Sequence, residues 1–322
     1  MNPVQSLQDV IECIGPRLKL RWLTRQPDGP RPLRNKDRTI AGQSLVGSLN
    51  CIHPSRLQVI GHAELVYLTD LGQTAYMETI EKLFGGQPAA VIFTDNIDPE
   101  PTFVSTAQRT NTPLLGSPLA DEEVISHLRY FLTNALAERI TVHGVFMEVL
   151  GMGVLLTGDP AVGKSELALD LISRGHRLIA DDAPELAHIA PETLNGSCPP
   201  LLRDFLEVRG LGILNIRAMF GESAVRQSKN LNLIVNLRPL NERELALIDR
   251  LSGSPSARRI LSVAVPEITI PVAPGRNLAI LVEAAVRHQI LRIRGYDAGV
   301  DFSERQTRAL HDAPPRPVGG TE

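Results

Sequence analysis

The chain has 322 residues, 43% hydrophobic and 21% charged, and 33 Lys+Arg against 36 Asp+Glu leave a net charge of -3. That length suits two domains, and the composition suits packed cores under a polar surface. No basic stripe of the kind a nucleic-acid binder needs is present, and the apolar runs are too short to span a bilayer.

The first half reads as alternating strands and helices. Leu57–Ile60 and Glu64–Leu68 have the look of strands, and Thr74–Phe84 has helical spacing through Met77, Ile80 and Leu83. Ala90–Thr94 is a short apolar run stopped by Asp95 and Asn96, as a buried strand would be. A long helix is predicted over Leu119–Ala137, with Asp121, Glu122 and Glu123 at its positive end. Residues 1–135 thus make an α/β domain with no phosphate loop, expected to serve regulation or assembly.

The second half, residues 136–312, carries the chemistry. Ile140–Val149 reads as a strand pair or one bent strand containing His143, and Val154–Thr157 as a buried strand. Between the latter and an apolar-striped helix at Ser165–Ile172 lies Gly158-Asp159-Pro160-Ala161-Val162-Gly163-Lys164-Ser165, a complete G-x-x-x-x-G-K-[ST] sequence. A tight loop between strand and helix turns backbone N–H groups inward, where they and the helix N-terminus hold a polyphosphate. Lys164 brings positive charge to the phosphates and the Ser165 hydroxyl suits Mg²⁺. The fold class expected is α/β: an N-terminal α/β domain, then a P-loop domain of Walker-A type with a central mixed sheet.

Further on, His176–Ala180 is a short strand ending at Asp181-Asp182, the sheet edge where ligands of open α/β sheets collect. Of two adjacent carboxylates, one can face the phosphates while its neighbour points away; the facing one can hold a metal or take a proton. A polar stretch through Asn195-Gly196 leads to Leu206–Asn215, where Glu207 precedes Gly210 and Gly212. On local sequence Glu207 is equally a metal ligand or a surface carboxylate, a lone strand histidine such as His143 is more often structural, and Arg250 reads as a surface cation. Leu231–Leu237 and Ile260–Val265 are predicted strands. A helix over Arg276–Arg294 offers Leu278, Leu281, Ala285, Ile290 and Ile293 as a core face, and residues 313–322 form a polar, proline-rich tail expected to be disordered. Cys13, Cys51 and Cys198 are far apart with no C-x-x-C spacing, which fits incidental thiols in a reducing compartment. Residues 1–6 lack the start of a secretory signal, so a cytoplasmic location is expected.

Several motifs in order carry a resemblance. Val142-His143-Gly144, the loop 158–165, Ala180-Asp181-Asp182, Leu206-Glu207-Val208-Arg209-Gly210-Leu211-Gly212 and Pro271-Val272-x-x-Gly275-Arg276-Asn277 together resemble the bacterial HPr kinase/phosphorylase family. The likeness continues through Gly295–Ala298 and Phe302–Arg305, and upstream through Pro54–Gly61 and Ala63–Leu68. It implies a bifunctional enzyme that phosphorylates a seryl residue of the phosphocarrier protein HPr with ATP and removes the phosphate with inorganic phosphate, releasing pyrophosphate. It implies Asp182 as proton acceptor and donor, Lys164 as phosphate-neutralising cation, Ser165 and Glu207 as Mg²⁺ ligands, and His143 and Arg250 as further active-site residues. It also implies a homohexamer with the P-loop domain at its core, acting on carbon metabolism through the phosphotransferase system. Two departures bear on the choice between ATP and pyrophosphate: Ala161 stands where members more often have Gly, and Pro160 lacks an N–H. The P-loop alone is equally compatible with a kinase of a small metabolite or a non-catalytic nucleotide sensor.

Overall fold

The computed structural model describes residues 6–27, 29–33, 45–50, 55–239, 256–273 and 275–311, with 309–311 described by backbone alone. The tail 313–322, Cys51 and Arg250 lie outside the described residues. The chain divides into two compact units, Met1–Ala137 and Glu138–Glu322.

In the first unit, α1 (Leu7–Leu18) is opened by a reciprocal cap: the Ser6 hydroxyl accepts the Asp9 amide while the Asp9 carboxylate accepts the Ser6 amide. There follow β1 (Arg21–Trp22), β2 (Val46–Ser48), β3 (Leu57–Ile60), α2 (His62–Asp70), α3 (Gln73–Gly85), β4 (Ala90–Phe93), α4 (Pro101–Arg109), β5 (Leu114–Gly116) and α5 (Asp121–Ala135). The sheet order is β1-β5-β4-β3-β2, parallel except for β1. Every residue of β3 and β4 is buried, as parallel strands covered on both faces require. One core packs α1 and α5 on the sheet; another centres on Phe103, whose ring meets Tyr76, Phe84 and Phe93 edge-on.

Residues 64–68, expected as a strand, lie instead inside α2. The Glu64 carboxylate accepts the Gly61 amide at 2.9 Å and so fixes a helix start directly after β3. Only Leu68 of that helix is buried, while Val66 and Tyr67 face solvent. Their β-forming side chains were a misleading signal because nothing packs on them.

The second unit contains β6 (Glu138–Thr141), β7 (Val145–Val149), β8 (Met152–Gly158), α6 (Lys164–Ser173), β9 (Arg177–Ala180), β10 (Glu185–Ala190), β11 (Thr193–Ser197), β12 (Phe205–Val208), β13 (Gly212–Asn215) and α7 (Ile216–Phe220). It continues with β14 (Ser228–Pro239), β15 (Ser256–Ile260), β16 (Val263–Val272), α8 (Leu278–Ile293) and α9 (Ala298–His311). A mixed sheet runs β6-β10-β11-β14-β8-β7-β9, with β16 also beside β14 and β15 beside β16. Its centre, β8, β14 and β16, is parallel. Alternate residues of β8 serve opposite faces: Val154 and Leu156 join the core shared with α6 and α8, and Leu155 joins the one around Phe146 and Ile234.

The polar stretch before Pro199 is the hairpin β10–β11, with Asn195-Gly196 inside β11; a Cβ on residue 196 would lie 2.3 Å from the Phe146 ring, so glycine is required there. The run 260–265 is not one strand: Leu261, at φ 52°, and Ser262 turn the chain between β15 and β16, pairing Ile260 with Val263. On α8, Leu278, Leu281, Ala285 and Ile290 pack against the core as expected, beside the buried Ala279, Val282, Val286 and Gln289, whereas Ile293 is exposed. Sequence pattern also did not reveal α1, α4 or the two- and three-residue strands of the first unit.

Candidate active site

Strand β8 runs through the sheet centre and delivers the chain at Gly158 to residues 159–163, which lead straight into α6. Gly158 has φ 141°, and a Cβ there would lie 2.4 Å from the Leu237 carbonyl oxygen of β14, so only glycine lets the two strands approach. Gly163 caps α6 at φ 96° with no side chain to offer. The first N–H groups of a helix have no acceptor within it, and here none is taken by a capping side chain, which leaves the positive end of α6 open to an anion. The Lys164 ammonium donates to the carbonyls of Gly158 (2.9 Å) and Asp159 (3.0 Å), which anchors it at the loop. Ala161 sits at φ 68°, the left-handed region that glycine would take without penalty.

The loop forms one wall of an open cleft of about 210 Å³. Pro160, Ala161, Gly163, Lys164, Ser165 and Glu166 line that wall; His143, Gly144, Asp181, Asp182, Glu207 and Arg209 line the rest. His143 lies between β6 and β7, and its Nδ1 is 2.8 Å from Asp182 Oδ1. The neighbouring backbone holds this pair in place, because the Gly144 amide donates to the Asp182 carbonyl at 3.2 Å.

Asp182 follows β9 at φ 63°, and its conformation decides what both aspartates do. Aspartate tolerates this region better than most residues. The chain turns there, and both aspartates line the cleft while their carboxylates engage different partners, Asp182 with His143 and Asp181 with the Glu207 amide. Asp181 Oδ2 accepts the Glu207 amide at 2.9 Å, tying β12 to the end of β9. Burial pushes the Asp181 carboxyl above its ordinary range, opposed by that same amide.

The cleft therefore brings together His143, Lys164, Ser165, Asp182 and Glu207. Gly158, Asp159 and Val162 shape the loop without lining the cleft, and Val162 packs against the core. Arg250 is outside the described residues. Sequence reasoning on the residues left open which of Asp181 and Asp182 faces the phosphates, and gave no role to Arg209. The strand period contained Arg209: Phe205, Glu207 and Arg209 alternate with the buried Leu206 and Val208.

Residues 6–132 match the family described as HPr Serine kinase N terminus, and residues 134–306 match the HPr Serine kinase C-terminal domain. Curated relatives named HPr kinase/phosphorylase include one from Xanthomonas campestris, 45% identical over 98% of this chain and 100% of the relative. Another, from Xylella fastidiosa, is 44% identical over the same shares. A solved structure, the Hpr(Ser) kinase/phosphatase from Coxiella burnetii, is 37% identical and covers 51% of this chain and 98% of its own, with a TM-score of 0.44. This chain belongs to the HPr serine kinase family and is a phosphotransferase of the kinase/phosphorylase type.

Proposed function

We propose that the cleft transfers the γ-phosphoryl group of ATP to a seryl hydroxyl of HPr, and that in the other direction inorganic phosphate takes that group from the phosphoserine, giving serine and pyrophosphate. The observation that carries this is the His143–Asp182 pair at 2.8 Å, facing the phosphate loop across one cleft. Phosphoryl transfer needs alignment and charge neutralisation rather than covalent help. Asp182 accepts the seryl proton as the oxygen attacks and returns it in reverse, with His143 orienting the carboxylate. Lys164 neutralises phosphate charge. A site that stabilises the shared transition state accelerates both directions.

Ser165, Glu207 and the two aspartates offer only oxygen donors, which suits a hard cation such as Mg²⁺. Among the described residues no group of three or more His, Cys, Asp or Glu forms a metal cage. Mg²⁺ bound to a nucleotide needs none, since it takes one or two protein oxygens and completes its shell with phosphate and water. Ser165 and Glu207 would hold it, and it would neutralise charge on the transferring phosphate. Arg250 is assigned to the site by family order, residues 1–135 to regulation or assembly, and the protein to a cytoplasmic homohexamer acting on the phosphotransferase system. No helix among the described residues is long and apolar enough to cross a membrane.

The test combines protein, Mg²⁺, ATP and purified HPr and looks for phosphoserine by mass, then adds inorganic phosphate and looks for pyrophosphate. Asp182→Asn should lower both rates by about a hundredfold or more while calorimetry still detects Mg-ATP. Undiminished turnover in that variant would falsify the assignment.

A further inference from the structure

Glu148 stands on β7 with its side chain 11% exposed, and three cations from separate parts of the chain converge on it. Arg226 Nη1 lies 2.6 Å and Lys229 Nζ 3.3 Å from its Oε2, and Arg177 Nη1 lies 3.6 Å from its Oε1. Among the described residues, none of the three has another carboxylate as partner. Three positive charges against one negative leave a surplus of two, held by partly buried groups that salt screens poorly.

Beside this cluster is a cavity of about 280 Å³, which Glu148 and Arg177 line together with Leu150, Arg174, Gly175 and His176. Arg174 is engaged, since its Nε donates to Asp170 at 3.0 Å. The His176 side chain is 8% exposed, with Nε2 3.0 Å from Glu283 and no partner for Nδ1 among the described residues. The cavity lies where β8 begins and α6 ends, at the far end of the same strand and helix that hold the phosphate loop between them. Because α6 is ten residues long, the two places are roughly 15 Å apart.

The surplus decides the sign of the ligand. A cation is repelled there, and an apolar molecule strips water from the charged groups without replacing it. A phosphate group carries about 1.5–2 negative charges at neutral pH and so cancels the excess, and its oxygens suit the guanidinium fork. The C-terminal end of α6 opposes an anion, but with only about half an elementary charge. We propose that this cavity is a second anion site, separate from the phosphate loop, which binds the phosphate group of a free orthophosphate ion or of a small phosphate ester. It stands independently of the seryl-kinase reading.

The experiment is calorimetry on the full chain, with the phosphate loop filled by Mg²⁺ and a non-hydrolysable ATP analogue. Inorganic phosphate is titrated in one arm and glycerol phosphate in the other. At least one should bind saturably: heat from phosphate alone identifies the free ion, and heat from the ester a phosphorylated molecule. Arg177→Gln should weaken that binding by about tenfold or more, the scale of one charge-assisted hydrogen bond. Glu148→Gln should instead strengthen it by about tenfold, because it raises the surplus from two to three. If Glu148→Gln unfolds without the anion, phosphate should raise its melting midpoint by more than it raises that of the wild type. Absence of saturable binding in the wild type overturns the proposal, as does equal affinity in Arg177→Gln. Weaker binding in both variants while folded also overturns it, because a purely structural cluster would behave that way.

Discussion

Ala161 occupies a conformation that its side chain resists, and replacing it with glycine measures that resistance. At φ 68° the residue lies in the left-handed region, which costs an L-residue about 1–2 kcal/mol relative to the right-handed one. Ala161→Gly removes this penalty. It also loosens the unfolded chain, at a cost of about 0.4–1 kcal/mol. Because Ala161 is exposed, its methyl group contributes little burial, and these two effects dominate. The balance is a gain of about 0.5–1 kcal/mol, read as a higher midpoint in urea unfolding followed by far-UV circular dichroism. Since the loop already adopts the geometry glycine prefers, affinities for Mg-ATP and pyrophosphate should move by less than about threefold, under 1 kcal/mol. A loss of stability of about 0.5 kcal/mol or more would refute the reasoning, because it would mean that residue 161 does not hold a positive φ in the folded protein.

Asp181→Ala removes the acceptor for the Glu207 amide and should raise the Mg²⁺ concentration needed for half-maximal activity by on the order of tenfold, as loss of a group that orients a metal ligand does. Asp181→Asn keeps a side-chain carbonyl and should recover most of that loss; equal defects in the two variants would show that the hydrogen bond is not what matters. Burial pushes the Cys198 thiol up to about 11, so at pH 8 only about one thousandth is thiolate and alkylation by iodoacetamide should be negligible until the chain unfolds. The unfolded thiol ionises at lower pH than the folded one, so this group's contribution to stability is complete below the unfolded pKa and is lost as pH rises toward 11. Peptide mass mapping of rapid native labelling at Cys198 would contradict both statements.

The strand, tight loop and helix from Val154 to Ile172 were legible in sequence because their physics is local. Gly158 and Gly163 are needed by the backbone path itself, and Lys164 and Ser165 follow at fixed spacing. The pairing of His143 with Asp182 was not local: it joins the β6–β7 connection to the end of β9, and only family likeness pointed to it. Gly196 likewise owes its identity to a distant partner, since the missing side chain makes room for Phe146 from another strand. Glu64 was misjudged because its neighbours favour strands, whereas its carboxylate closes a helix cap on Gly61. In each case the deciding partner stood outside the window in which periodicity is read, either in space or just beyond the run being weighed.

The charge of the cleft bears on what enters it. Asp181, Asp182, Glu166 and Glu207 face Lys164 and Arg209, so four carboxylates meet two fixed cations. A bare triphosphate would gain from the loop and the helix N-terminus yet be repelled by that surplus of acid. The raised Asp181 carboxyl is one relief, though its Oδ2 already accepts the Glu207 amide, which favours the charged form. On the proposed function a divalent cation carried in with the phosphates would be a larger relief, with Glu207 among its ligands. Asp182 is then left as the carboxylate whose partner is a histidine, not a cation with a fixed charge. On the proposed function it is the carboxylate that takes the seryl proton and returns it, as transfer in both directions requires.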